Sequence, residues 1–413
     1  MLAIFGLASA TIPASAASAP VVDIPVGSNP IATVLSLDGS ILFVATAGPS
    51  GAGSITVVGV STPSAPSVIS TVSLNALVGH ATSPSALALS ANGTMLYVAD
   101  ALTNNLYALN IIAPTSMSLS WVMAVGAKPT GIAVSPYTNR LVVTNEADAS
   151  MSILAVSPST GGSLVATITL PSAQLGSGIR ALSPVFITPQ SEIAVGGEVV
   201  AVTDGYRSVW LINTLYVDET PTGYWAGINP ISLAFDEALG VLYASSQGGV
   251  REIYLANFSG EQLYGFPDNS LWSIALAPNA SLLANTNSSG GSALFHPVGP
   301  PFPGSWQQGV GLQPTQTTFS PDSLTAYIAN TGSADVSVVS LTSSWLQSVT
   351  PAALVQTSAV SAPLRTSISS RRVVLRHPDV AKTLSILRGC EAKCARKPLK
   401  TTAPLPITVF TRN

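Results

Sequence analysis

The sequence predicts an all-β chain folded as a seven-bladed β-propeller of four-stranded antiparallel blades, and three observations carry that prediction. A unit of four short runs rich in β-branched and aromatic residues recurs along the chain, its middle two runs joined across a corner of Asn, Asp, Gly and Ser. The turn that ends the first run recurs at Ser36, Ser90, Ser135, Thr188, Asp236, Ala277 and Ser320, at spacings of 41 to 54 residues. Patterns with the period of a helix are missing over any useful length, so a period near 45 reads as propeller blades and not as a helical solenoid.

The elements follow in chain order. Residues 1–19, "MLAIFGLASATIPASAASA", hold an apolar run and two Ala-Ser-Ala patterns, at Ala14–Ala16 and Ala17–Ala19. They resemble an export signal and its cleavage site, although the basic leading region is missing. "VVDIPV" at 21–26 has the character of a fourth strand and can complete the last blade from the N-terminal side. "SWLQSV" at 344–349 can do so from the other end, and pattern alone leaves both open. Closure is needed because an open ring exposes unpaired strand edges.

Blades occupy residues 20–351. "LYVADALTNNLYALN" from Leu96, "LVVTNEADASMSILAVS" from Leu141 and "AYIANTGSADVSVVSL" from Ala326 show the middle hairpin most clearly; the unit at 183–227 is irregular. Four junctions between blades share Gly-x-polar-Pro: "VGSNP", "VGAKP", "AGINP" and "VGLQP". Glycine is expected there for a positive φ, and proline can open a strand whose first N–H need not pair. First strands rich in Ala, Ser, Thr and Gly suit the crowded wall of a central channel, while outer strands carry Trp121, Trp225 or Trp345.

Charged residues make up only 8% of the chain, against about 25% in ordinary soluble domains. Residues 1–360 contain five basic and seventeen acidic side chains; residues 361–413 contain eleven basic and two acidic ones. The segment 352–413 is therefore read as a disordered basic tail, able to grip an acidic partner or fold back on the acidic body, unless it is a misread end of the chain. Cys390 and Cys394, a C-x3-C pair, lie within it as a local disulfide or two free thiols. No run of ~18 apolar residues follows the leader, so no membrane span is expected.

At this point the residues carry a resemblance. "VGAKPTGIAVSPYTNRLVVTNEADASMSILAVS" and "VGLQPTQTTFSPDSLTAYIANTGSADVSVVSL" resemble the YVTN-family seven-bladed propellers, whose strand ending Leu141–Asn145 nearly reproduces. The similarity extends over about 330 residues. Related lactonase-type propellers share an Asn-Glu at this corner, like Asn145-Glu146, and a "TGG-L" turn, like Thr160 to Leu164. The resemblance implies an exported or surface binding module, or a lactonase-like hydrolase working through charged residues near the channel. Fold alone carries neither function.

Chemistry is sparse. His80, His296 and His377 fall in separate units, and no G-x-S-x-G elbow, H-E-x-x-H pair or phosphate-cradling loop occurs, so no metal and no cofactor are expected. The few charges of the body are more informative. The loops between fourth and first strands and those between second and third strands share one propeller face, and His80, Lys128, Arg180, Arg207 and Arg251 are assigned to it. Asp100, Glu146, Asp148 and Asp204 join them, while Arg140 goes to the other face. Two readings fit: charges sit in loops because loops are solvated, or His80, Asp100, Lys128, Asn145, Glu146, Arg180, Arg207 and Arg251 form a mixed-charge mouth. In an enzymatic variant Glu146, with Arg180, is the candidate catalytic pair. Asn29, Ser83, Asn229, Ser270 and Gln313, at the strand-one entrances, fit either sugar hydroxyls or plain turn chemistry. The expectation is a secreted, periplasmic or cell-surface monomer that binds an anionic or sugar-like small ligand or a cell-envelope polymer, with nucleic acid a partner only through the tail. A hydrolase and a structural envelope module stay open.

Overall fold

The computed structural model describes residues 19–157, 161–170, 182–187, 198–218, 220–255, 259–265, 271–298 and 305–341. The leader up to residue 18, Arg180, Thr188, Ser270, Trp345, "SWLQSV" and the basic tail lie outside the described residues.

Seven four-stranded antiparallel sheets stand in a ring. The first strand of each blade is innermost and packs against that of the next, and the inner strand of blade 7, Pro314–Phe319, packs against that of blade 1, Pro30–Leu35. The irregular fourth unit has its full four strands, Leu182–Ile187, Val199–Thr203, Ser208–Asn213 and Thr222–Trp225. The one α-helix among the described residues, Leu74–Val78, is a single capped turn after the outer strand of blade 1. No helix among the described residues is long and apolar enough to cross a membrane.

Alternation along each strand explains the ring. Successive side chains point to opposite faces, and both faces of a blade are covered by neighbours. In blade 2, Leu96 and Val98 enter the apolar seam with blade 1, whereas Met95 and Tyr97 enter the seam with blade 3. The whole second strand, Met95–Asp100, is buried as a result. Seven apolar clusters fill the seven seams, one at each blade boundary. Outer strands have one free edge and exposed faces, as in Ser67–Ser73.

The N-terminal segment closes the ring. Val21–Pro25 pairs antiparallel with Asp335–Ser340 as the outer strand of blade 7, in register from Val21 opposite Val339 to Pro25 opposite Asp335. Ser337 Oγ donates to Asp23 at 2.6 Å, and Ala19 N donates to Gln308 Oε1 at 3.0 Å. Ile24 and Val26 enter the seam between blades 7 and 1 beside Tyr327 and Val44. The ends of the propeller are thus locked by a β-ladder and by side-chain packing at once.

The junctions differ from expectation in one respect. Gly27 and Gly227 do adopt positive φ, +106° and +101°. At the other two junctions glycine is needed for space: a Cβ on Gly126 would lie 2.5 Å from Asn145 Nδ2, and one on Gly311 would collide with Ser333 Oγ. The residue before proline takes the left-handed conformation in all four, with φ of 51° to 53° at Asn29, Lys128, Asn229 and Gln313. Asn tolerates this region better than most residues.

Two outcomes are expected. Ile24→Ala should lower stability by about 2–4 kcal/mol in denaturant unfolding, because it hollows the closing seam, while Ile112→Ala, at a position 68% exposed, should stay within about 0.5 kcal/mol. His296, fully buried on the third strand of blade 6, has its pKa pushed down to about 4 because burial disfavours the imidazolium. The unfolded chain takes up that proton near pH 6.5 and the folded one does not, so stability should fall as pH drops from about 6.5 to 4. The loss should be roughly 3 kcal/mol, and His296→Leu should show a flatter profile over that window.

Candidate functional site

One hydrogen-bond pattern builds the face of the propeller. In four blades the residue just before the inner strand accepts, on its carbonyl, the N–H of a residue at the end of the second strand or the start of the corner that follows it. Ala47 bonds to Asn29, Ala101 to Ser83, Glu146 to Lys128 and Thr331 to Gln313, all at 2.9–3.0 Å. Blade 5 makes the corresponding link through side chains, Asn229 Nδ2 to Gln247 Oε1 at 3.0 Å. In every case the partners are eighteen residues apart. Each of these five blades therefore brings two residues together at the entrance of its inner strand.

In blade 3 those two are Lys128 and Glu146, and they form an ion pair at 3.0 Å. The lysine side chain is 55% exposed and the glutamate side chain 11%. The Lys128 backbone is pinned from both sides: its N–H donates to Asn104 Oδ1 at 2.8 Å, from the corner of blade 2, and Ala127 N donates to Asp148 Oδ2 at 2.8 Å. The backbone that carries the cation is thus fixed, and the ammonium is met by a carboxylate of its own blade.

The pair stands at the edge of a cavity of about 790 Å³ lined by the inner strands of all seven blades. Six blades contribute a hydroxyl to its wall: Ser85, Thr130, Ser183, Ser232, Ser273 and Thr315. Several of these protons already bridge neighbours. Ser85 Oγ donates to Pro129 O at 2.6 Å, Thr315 Oγ1 donates to Ala329 O at 3.2 Å, and Ser273 Oγ meets Thr286 Oγ1 at 3.0 Å. A hydroxyl that has donated keeps its lone pairs, so the wall offers acceptors more than donors. Trp272, half-exposed on blade 6, faces this space across the ring from blade 3. Lys128 and Glu146 are the only charged residues among those lining it. A smaller cleft of about 400 Å³, between the closing strand and blade 1, has no charged side chain in its lining.

The other residues singled out in the sequence take different places. Asp100 is fully buried and serves as the hub of its corner, accepting from Ser83 N, Leu102 N, Thr103 Oγ1 and Tyr107 OH at 2.8–3.3 Å. His80 lies outside the cavity on the same corner, exposed, with Nε2 at 3.4 Å from Tyr107 OH. Asn145 is buried, its Nδ2 donating to Ser150 and Ser152. Asp204 accepts three backbone N–H groups at 2.8–2.9 Å and holds the corner of blade 4. Arg207 is exposed with its guanidinium 5.1 Å from the Tyr206 ring, and Arg251 lies 3.9 Å over Trp225. Burial lowers the pKa of Arg251, which is still a cation at any ordinary pH. Of the eight, the structure brings together Lys128 and Glu146 at the cavity. The inner-strand hydroxyls and Trp272 were not singled out; the signal for the latter is an aromatic inside an inner strand, "LWSIAL", otherwise built from small and aliphatic residues.

The comparisons agree with this architecture. A family model described as "Lactonase, 7-bladed beta-propeller" matches residues 53–174, from the third strand of blade 1 to the end of blade 3, a stretch that includes Lys128 and Glu146. The likeness to lactonase-type propellers read from the sequence thus stands in sequence and in fold. No curated protein sequence matches the chain. Among solved structures, a Kuenenia stuttgartiensis hydrazine synthase chain aligns with a TM-score of 0.59 at 17% identity, covering 80% of this chain and 99% of its own. The β-propeller domain of Cps50 (Swd1) from Myceliophteria thermophila aligns with a TM-score of 0.60 at 13% identity, covering 78% and 100%. At these identities the two share the fold with this chain and nothing more.

Asp100→Ala should lower stability by roughly 2–4 kcal/mol, since it strands several buried donors. Ligand affinity measured on the folded fraction should be unchanged, which separates corner residues from rim residues.

Proposed function

We propose that the protein is an exported binding module whose central channel takes up a small polyhydroxylated molecule. The observation that carries this reading is the cavity itself: a space of about 790 Å³, of the size of small-molecule sites, with hydroxyls from six blades converging on it. That lining supports binding over a role as a bare spacer. It also supports the sugar-like half of the expectation over the anionic half, because Glu146 already answers the one cation of the lining. Export rests on the leader: its second Ala-Ser-Ala pattern ends at Ala19, and the closing strand starts at Val21.

A hydrolytic reading has one observation of its own, the lactonase family match across blades 2 and 3. In that reading Glu146 is the base that takes a proton from water attacking a lactone carbonyl, and Lys128 stabilises the developing oxyanion. Both readings use the same rim and differ in whether the bound molecule is changed.

Thermal unfolding in the presence of sugars, sugar acids and sugar lactones tests the reading. A ligand at about 100 times its Kd should add roughly 2.7 kcal/mol to stability. A lactone hit should be recovered intact for a binder and as the ring-opened acid for a hydrolase, with Glu146→Gln abolishing that conversion. A flat result across all three classes would remove the channel-site reading.

A further inference from the structure

The electrostatics of the channel narrow the class of ligand, given that the channel is a sugar-type site as proposed above. Lys128 and Glu146 are held face to face by the eighteen-residue link between their backbones, so both charges are present whether or not a ligand is bound. An anion approaching Lys128 meets the carboxylate of Glu146 at the same time, and a cation approaching Glu146 meets the ammonium of Lys128. Like charges at such separations repel strongly where water is partly excluded. A neutral polyol avoids the repulsion but leaves the pair unused. A molecule carrying both charges answers each of them and leaves no charge uncompensated.

The remainder of the wall adds two constraints. Its hydroxyls have already donated in part and accept from ligand O–H or N–H groups. Trp272, on the far wall, offers a flat apolar surface of the kind on which the C–H face of a sugar ring, or the edge of an ammonium-bearing ring, can rest.

We infer that the channel selects a zwitterionic amino-sugar acid, whose carboxylate pairs with Lys128 and whose ammonium pairs with Glu146 while the ring hydroxyls meet the Ser/Thr wall. Blade 3 is the reading head, because the equivalent rim pairs of blades 1, 2, 5 and 7 are Asn29/Ala47, Ser83/Ala101, Asn229/Gln247 and Gln313/Thr331, none of them charged.

Calorimetric titration of the full chain near pH 6 with glucose, glucosamine, glucuronic acid and muramic acid tests this. Muramic acid should bind about tenfold more tightly than glucose, and the two singly charged sugars should lie within about threefold of glucose. Lys128→Asn, which installs the residue found at the same turn in blades 1 and 5, and Glu146→Gln should each bring the muramic-to-glucose ratio close to one. The double exchange Lys128→Glu/Glu146→Lys keeps a pair of opposite charges and should restore the ratio. Glucuronic acid binding more tightly than muramic acid, or a ratio near one in the wild type, would overturn the zwitterion inference and leave the sugar-site reading standing. Failure of all four sugars to bind would overturn both.

Discussion

Apolar contact between blades is the constraint on which the rest of this molecule depends. A blade has no core of its own; it is a sheet with two faces, and each face is buried only by the next blade. The alternation of side chains turns that need into a ring, since Leu96 and Val98 serve one seam and Met95 and Tyr97 the other. A seam also has no room for charge, because a buried ion must be paired and hydrogen-bonded to be tolerated. The scarcity of charged residues follows from this: seven seams consume most of the strand positions, and the corners and turns are left for polar groups. His296, fully buried, follows the same rule, since burial pushes its pKa down and keeps the imidazole neutral.

The corners then decide where the few remaining charges can act. Asp100 and Asp204 are consumed by their own turns, each accepting several donors, so a carboxylate in a loop of this fold is first a structural anchor. Glu146 differs because it follows the anchor position, which in blade 3 is Asn145, and so its side chain is released toward the rim. Lys128 differs because the residue before the proline takes a left-handed conformation at the entrance of the inner strand. The meeting of the two is a consequence of backbone pairing that occurs in three other blades with uncharged side chains, and that blade 5 replaces with a side-chain bond.

Much of the architecture was legible because it is periodic. The turn residues Ser36, Ser90, Ser135, Ala277 and Ser320 each fall immediately after an inner strand, and Asp236 is the last residue of one. The closing strand was legible only as one of two options, since Val21–Pro25 resembles any outer strand and its partner lies more than 300 residues away. The site was legible in part. Scarcity drew attention to Lys128 and Glu146, yet it drew equal attention to Asp100, Arg207 and Arg251, because composition cannot distinguish a rim position from a corner anchor or a cation stacked on Trp225. The interval of eighteen residues between Asn29 and Ala47, repeated at Lys128 and Glu146, was present in the sequence and does make that distinction. The small-residue wall of the channel was legible as a composition of the first strands, but the particular hydroxyls that line it were not, because serine and threonine are common throughout this chain.

The ion pair bears on whether the channel is a site of chemistry or of capture. A general base works from a carboxylate oxygen held within hydrogen-bond reach of the reacting proton. Glu146 sits at 3.0 Å from an ammonium. A lactone carbonyl is a weak competitor for a cation already paired with a carboxylate. A ligand that brings its own carboxylate is a strong competitor, and one that also brings an ammonium replaces what Glu146 loses. Exchange of partners at this pair is what the proposed binding reading requires, and a hydrolase using the same rim has to seat its water beside a carboxylate that already holds an ammonium.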